Sequence, residues 1–494
     1  MLAHLPALQI VLPLLAALLI ALLRQEALSF FIALGICLLS PVISGAMLAE
    51  VLAHGPISYA LGGWPPPYGI EYRVDLLNGI VLFLISGIAA VAMPFAYRSV
   101  QFEIDAAQRP WFYAMFLLCF TGLLGVTITG DAFNAFVFLE ISALSSYVLV
   151  ALGRDRRALL AAYQYLIMGT VGATFYVIGV GFLYILTGSL NLVDIAARLA
   201  ELDPAFGRAL LTALAFITVG VSLKLALFPL HFWLPNAYAY APSFVTVFLS
   251  ATATKVAIYL LIRFYFSVFG VALDLDDLPI MDILLGLSLV AMFVASIIAI
   301  FQTNLKRMLA YSSVAQIGYM TLGLSLVNVQ GLTGTIVHMI NHGIMKAALF
   351  LALGAVFYRV NSVRLSEIAG IGRHMPITMA AFTLAGLGII GVPGTAGFIS
   401  KWYLANGALE TGSWMIVGLI VGSSIVSVVY IGRILEAVWI GTPSAEVQKA
   451  TDPPLSMMLP LLILAAAVVY LGLDTRVTAG LGSMAAEALL GGLR

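Results

Sequence analysis

Apolar runs of about twenty residues recur along the whole chain, separated by short polar or charged stretches. A helix rises 1.5 Å per residue, so a run of roughly 20 residues crosses the hydrocarbon of a bilayer. The pattern predicts fourteen spans, at residues 4–23, 27–52, 76–97, 110–128, 131–151, 160–187, 207–240, 243–268, 279–301, 305–327, 331–358, 374–410, 413–438 and 454–473. The chain is therefore read as an all-α integral membrane protein with about 14 transmembrane helices. The first run, from Leu5 to Leu23, lacks the basic leading segment of a signal peptide and is long enough to span, so it is read as the first helix.

Two predicted spans are too long and are interrupted. Segment 207–240 contains FPLHFWLPNAYAYAP, with Pro229 and Pro235, and segment 374–410 contains GLGIIGVPGTAGFISKW, with Pro393 among glycines. Proline removes a backbone donor and clashes with the preceding turn, so each segment is expected to be two half-helices around an unwound link. Unwound backbone at membrane depth is tolerated where it is buried in protein or lines water. The breaks hold matching places in two blocks of five helices, 110–268 (helices 4–8) and 279–438 (helices 9–13). Residues 1–109 (helices 1–3) precede them, and residues 439–494 (helix 14 and a tail) follow. Five is odd, so the second block is expected to be inverted relative to the first. Inverted repeats with one broken helix each are a common plan of ion-coupled transporters.

Composition narrows the class. Hydrophobic residues make up 62%, charged residues 9%, and the formal net charge is +0, with no basic tract for nucleic acid. Cys37 and Cys119 lie far apart in apolar runs and form no disulfide framework or zinc spacing. Loop charges set an orientation. With both termini on one side, the opposite side collects Arg24, Arg98, Arg109, Arg154, Arg156, Arg157, Lys306, Arg307, Arg359, Arg364, Arg373 and Lys449. The terminal side carries mainly Arg73, Arg198, Arg208, Arg476 and Arg494, with the acidic loop of Asp274, Asp276 and Asp277. The positive-inside rule then puts both termini outside.

Against that background the charges within spans stand out. Four of the six lysines, Lys224, Lys255, Lys346 and Lys401, fall inside predicted spans, as does Glu140. A lone charge near the bilayer centre costs about 2.5 kcal/mol or more. Lysine and glutamate titrate whereas arginine in practice does not, so a row of them suits proton movement. Glu140 and Lys224 fit either a structural ion pair or a switch. The helix break five residues after Lys224 favours the switch, because a lysine beside unwound, hydrated backbone can change partner. Lys255 has no carboxylate in its own span but is flanked by Ser250, Thr252 and Thr254, which can hold water. It sits too deep to snorkel easily.

His338, His342 and Lys346 recur every four residues and form one polar stripe. Histidine titrates near neutral pH, which suits a hydrated proton relay. A structural hydrogen-bonding stripe is the other reading, and a two-histidine metal site lacks a third ligand. Lys401 follows the second break and fits either a terminal proton site or an interfacial anchor. Asp131 fits an N-cap, Arg433 and Glu436 fit a pair, and Arg154, Arg156 and Arg157 fit orientation determinants. Trp64 in GGWPPPYG suggests a shaped outer loop that packs on a partner or on the bundle. No haem, flavin, nucleotide or iron–sulfur signature appears, and no cofactor is expected.

Several stretches resemble the antiporter-like subunits shared by Mrp-type multisubunit sodium/proton antiporters, respiratory complex I and membrane-bound hydrogenases. They are FVFLEIS around Glu140, LKLALFPLHFWLPNAYAYAPS around Lys224, TATKVAIYLLIR around Lys255, NLKRMLAYSSVAQIGYM, HMINHGIMKAALFLALGA and GVPGTAGFISKW. Within that family the chain looks like the D-type component of the Mrp branch. The resemblance implies that Glu140 pairs with Lys224, that Lys255 follows, that His338 and His342 lie between, and that Lys401 is the terminal site. Some family members carry glutamate at that last position, and some complex I members carry lysine. The chain ends about twenty residues after its last span, so it is expected to lack the long lateral helix of the largest members.

The resemblance further implies a secondary transporter subunit rather than an enzyme, in a bacterial cytoplasmic membrane. Its partners would be other membrane subunits, H+, Na+ or another monovalent cation, and lipid. The alternative is a proton-pumping membrane subunit of complex I or a hydrogenase, which would be a translocase. A mere scaffold for neighbouring subunits is disfavoured by the four buried lysines.

Overall fold

The computed structural model describes residues 4–275 and 278–491; Asp276, Asp277 and Arg494 lie outside the described residues. The first spans are α1 (Leu5–Leu23), α2 (Glu26–His54), α3 (Leu76–Glu103), α4 (Arg109–Ile128), α5 (Ala132–Ala151) and α6 (Arg157–Thr187). A short α7 (Leu192–Ala200) follows, then α8 (Gly207–Leu225), α9 (Trp233–Tyr240) and α10 (Ser243–Ile262), which runs into a π-helical turn at Arg263–Phe269. The second half contains α11 (Pro279–Ile300), α12 (Leu305–Ser325), α13 (Val329–Val360), α14 (Pro376–Ile390), α15 (Ala396–Glu410), α16 (Trp414–Trp439), α17 (Leu455–Leu473) and α18 (Thr478–Gly491). A small antiparallel hairpin, β1 (Ile57–Ala60) and β2 (Glu71–Val74), lies between α2 and α3.

Among the described residues, twelve helices are long and apolar enough to cross a membrane by themselves. α12 is not one of them, because it carries Lys306, Arg307 and Gln316. That polarity is tolerated because α12 is shielded on nearly all sides by other helices. Adding α12 and the α14–α15 pair to the twelve gives the fourteen predicted spans. Two helices were not anticipated. α7 is too short to span and buries Leu192, Ile195 and Leu199 along one face, and α18 packs on α13 and α3.

The connections sort onto two faces. One cavity of about 270 Å³ gathers Glu103, Arg154, Lys306, Asn361 and Arg364, all from connections that follow odd-numbered spans. Another of about 50 Å³ gathers Arg73, Gly130, Leu192 and Arg263, all beside connections that follow even-numbered spans. Chain ends meeting in this way are what alternating crossings produce.

The helix starts are fixed by caps. Asp131, expected as an N-cap, accepts the Asn134 N–H at 2.7 Å, and Asn304 accepts the Arg307 N–H at 3.1 Å. These two capping residues also make isolated bridges, Asp131 to Asn191 and Asn304 to Arg364. The spacings are equal, 191 − 131 = 60 and 364 − 304 = 60. α10 and α13 pack against each other at the centre and are buried on nearly every face, while α1, α6 and α16 leave wide apolar faces exposed.

A buried chain of titratable residues as candidate functional site

Both expected breaks are present, and each is built from its local sequence. α8 ends at Leu225, where Ala226 turns left-handed at φ +60°. The Trp233 indole N–H, from the next half-helix, donates at 3.0 Å to the Leu223 carbonyl, which also accepts the Ala226 N–H, and so ties the two half-helices together. Trp233 is itself fixed by stacking on Tyr165 at 4.0 Å. Pro229 lies in the link as predicted. Pro235 does not, because it falls in the first turn of α9, where no backbone donor is required.

The second break separates α14 from α15, with Pro393 in the link and Gly391 at φ +88°. Lys401, on α15, reaches back across it. Its ammonium donates to the carbonyls of Ile389 at 3.0 Å and Ile390 at 2.9 Å, and to Ser424 Oγ at 2.9 Å. A cation at a helix C-terminus meets both the unpaired carbonyls and the negative end of the macrodipole. The same ammonium lies 4.6 Å from the Tyr319 ring centroid.

Glu140 on α5 and Lys224 in the last turn of α8 form the expected pair, Nζ to Oε1 3.2 Å. Their side chains keep 24% and 9% exposure, so the pair is half-buried rather than locked in the core. No hydrogen bond among the described residues joins it to Lys255. In the link beyond it lies His231, which the sequence pattern did not single out. It is 4% exposed, stacks on Phe228 and Phe232, and meets Tyr311 of α12 edge-on.

The centre is a single polar cluster. Lys255 is fully buried, and its amine points back toward the start of α10, donating to the Ser250 carbonyl at 2.5 Å and approaching Thr254 Oγ1 at 3.4 Å. Thr252, expected to flank it, is bonded to the Phe248 carbonyl instead. His338 and His342 on α13 stack with ring centroids 5.8 Å apart, and both lie within electrostatic reach of Lys255. Lys346 donates to the Leu309 carbonyl at 2.8 Å and to Ser312 Oγ at 3.0 Å. His338 Nδ1 lies 2.7 Å from Ser400 Oγ, one residue before Lys401, which is also within its electrostatic reach. The cluster thus joins Lys255, His342, His338, Lys346 and Lys401, with Glu140–Lys224 to one side.

Residues that the sequence pattern did not reveal complete this interior. Ser312 is bonded to Tyr430, and Tyr319 lies between the His338 ring and Ser424. Both ring nitrogens of His342, Nε2 of His338 and the whole Gln316 amide are buried without a hydrogen-bond partner among the described residues. Buried polar atoms are ordinarily paired, often by ordered water, so these mark the most water-demanding part of the interior.

Other expectations resolve simply. Lys306, counted among the loop charges, is buried, because the α9–α10 turn folds over it. No ion pair forms between Arg433 and Glu436 among the described residues; Arg433 is half-buried on α16 and Glu436 is exposed. Trp64 is 69% exposed, so the loop around it does not pack on the bundle.

A model of the NADH:quinone oxidoreductase/Mrp antiporter transmembrane family matches residues 129–427, which contain nearly all of these groups. The chain belongs to this family. It is similar over 96% of its length, at 42% identity, to the N-type subunit of the NADH-quinone oxidoreductase of Desulforudis audaxviator, covering 96% of that protein. It is 29% identical to the D-type subunit of the Na(+)/H(+) antiporter of Alkalihalophilus pseudofirmus, over 91% of this chain and 88% of that one. Among solved structures, a chain of the membrane-bound sulfane sulfur reductase, an archaeal respiratory membrane complex, superposes with a TM-score of 0.89 at 30% identity, covering 98% of this chain and 97% of that one. The chain is thus a multi-pass, antiporter-like membrane subunit of a family that works in multisubunit complexes.

Proposed function

We propose that this chain moves protons as the D-type component of a multisubunit sodium/proton antiporter, along Glu140, Lys224, Lys255, His342, His338, Lys346 and Lys401. The observation that carries the proposal is the central cluster. Lys255, Lys346 and Lys401 are buried together with two histidines, and their ammonium groups meet carbonyls, hydroxyls and an aromatic ring but no carboxylate among the described residues. Lys255 and Lys346 lie within electrostatic reach of each other, and permanent charge on both would be repulsive in a medium of low dielectric. Groups that exchange protons relieve that repulsion as each charge moves on.

Opening the Glu140–Lys224 pair frees a proton to pass inward to Lys255. The histidines carry it along α13, and Lys401 at the second break delivers it. The two breaks belong to inverted five-helix blocks, 110–268 and 279–438, a reading supported by the equal spacing of the two bridges. Both termini face outward from a bacterial cytoplasmic membrane, and the cation exchanged is sodium or another monovalent ion. The chain is then a secondary transporter subunit, and lipid and neighbouring subunits cover its apolar faces.

The second reading is a pump subunit driven by redox chemistry elsewhere in a complex I-like assembly. The 42% identity to an NADH-quinone oxidoreductase subunit favours it. Purification of the intact complex separates the two. The antiporter predicts sodium-driven proton movement in liposomes with no electron donor; flavin or iron–sulfur absorbance, with transport strictly dependent on a donor, supports the pump.

A further inference from the structure

Lys306 is buried like Lys255, Lys346 and Lys401, and a buried carboxylate, Glu103, lies near it. Lys306 is 4% exposed, and its ammonium donates to the Ala241 carbonyl and to Ser243 Oγ, both at 3.2 Å. Glu103, the last residue of α3, is 9% exposed, and its two carboxylate oxygens accept the Ser243 N–H at 3.1 and 2.9 Å. The Ser99 hydroxyl donates to the same carboxylate at 2.8 Å. Ser243 therefore bridges a buried acid and a buried base at the first residue of α10, the helix that carries Lys255.

Two features set this cluster apart from a plain helix cap. Cavities of about 550 Å³ and about 270 Å³ on the face of the basic loops are both lined in part by Glu103, so one acidic residue borders two openings. The other is the direction of Lys255, whose amine points down α10 to the Ser250 carbonyl, toward Ser243. Ser243, Thr246 and Ser250 recur at i, i+3 and i+7, on one face. Seven residues of helix separate Ser243 from Ser250, roughly 10 Å.

We infer that Glu103 is the proton intake of this subunit, linking the cavities on the basic face to Lys255. Resting on the proposed proton transport through Lys255, the step is a plain proton transfer. A hydronium ion reaching either cavity gives its proton to a Glu103 oxygen and leaves as water. Glu103 returns to carboxylate by passing that proton along the hydroxyl-lined face of α10, and the neutral Lys255 amine becomes ammonium. Lys306 bonds Ser243 and through it positions the carboxylate. Glu103 is thus a relay residue, and Lys306 and Ser243 position it.

The test uses the purified complex in liposomes, with a sodium gradient and an internal pH dye. Glu103→Gln keeps an oxygen for the Ser243 N–H but cannot carry a proton, and the initial rate should fall about tenfold or more. Glu103→Asp keeps the proton and should retain most of the rate. A cap alone predicts the reverse order, with Gln tolerated and Asp, one methylene too short, impaired. Lys255→Ala is measured alongside: if it transports, the proton path itself is wrong; if it is inactive while assembled Glu103→Gln runs at the wild-type rate, only the intake is overturned. If Glu103→Gln does not assemble, the wild-type complex decides. A hydrophobic carbodiimide adds only to a protonated carboxyl, and peptide mass mapping should find it on Glu103 in proportion to lost transport. Complete labelling of Glu103 with full transport would overturn the inference.

Discussion

Replacing Lys224 by alanine is expected to abolish cation-driven proton movement while the complex still assembles, and Glu140→Ala should do the same. Each substitution leaves the other member of a 3.2 Å pair without its counter-charge. For a buried pair that loss costs about 3–5 kcal/mol. A subunit with fourteen packed spans can absorb such a cost, so assembly, checked by co-purification of the neighbouring subunits, separates lost transport from lost folding. The double variant is informative as well. With both charges gone the stability cost should largely vanish, but transport should not return. Normal proton movement in an assembled Glu140→Ala complex would remove the pair from the path.

The second large effect concerns Lys401. Lys401→Ala should stop transport and leave the carbonyls of Ile389 and Ile390 short of a donor at the end of α14. Lys401→Arg preserves the charge, the carbonyl bonds and a contact with the Tyr319 ring, yet it should also fail, since arginine does not release its proton at accessible pH. Lys401→Glu can donate to one of those carbonyls only when protonated, and it should keep partial activity. A purely structural anchor gives another order, with Arg tolerated and Glu worst. Initial rates for the three variants across pH distinguish the orders, and a fully active Lys401→Arg complex would rule out Lys401 as a proton site.

The spans were legible because long apolar runs leave few alternatives in a bilayer, and the breaks because Pro229, Pro393 and the glycines around Pro393 cannot continue a helix. Pro235 misled because proline is disruptive only beyond the first turn, and the start of α9 could not be located from composition. Lys306 misled for a related reason. It sits two residues after the cap Asn304, next to a charged neighbour, where a loop lysine would be expected. Its burial depends on the α9–α10 turn and on Phe357, far away in sequence. The partners of Lys401 are carbonyls eleven and twelve residues earlier, which only the folded break brings within reach. Ser312, Ser400, Ser424, Tyr319 and Tyr430 carried no pattern of their own, since isolated hydroxyls are ordinary in apolar helices. The role of Glu140 with Lys224 came from resemblance; their separation of eighty-four residues offers no local spacing to read.

In the proposed path Lys255 receives protons from both Glu103 and the Glu140–Lys224 pair and passes them to the histidines of α13. The decisive measurement is therefore sodium-driven pH change in liposomes containing either the wild-type complex or an assembled Lys255→Ala complex, with no electron donor present. A clear pH change for the wild type and none above empty liposomes for Lys255→Ala is the predicted result. Equal pH changes from the two complexes would contradict the proposal that protons cross this subunit along its buried lysines.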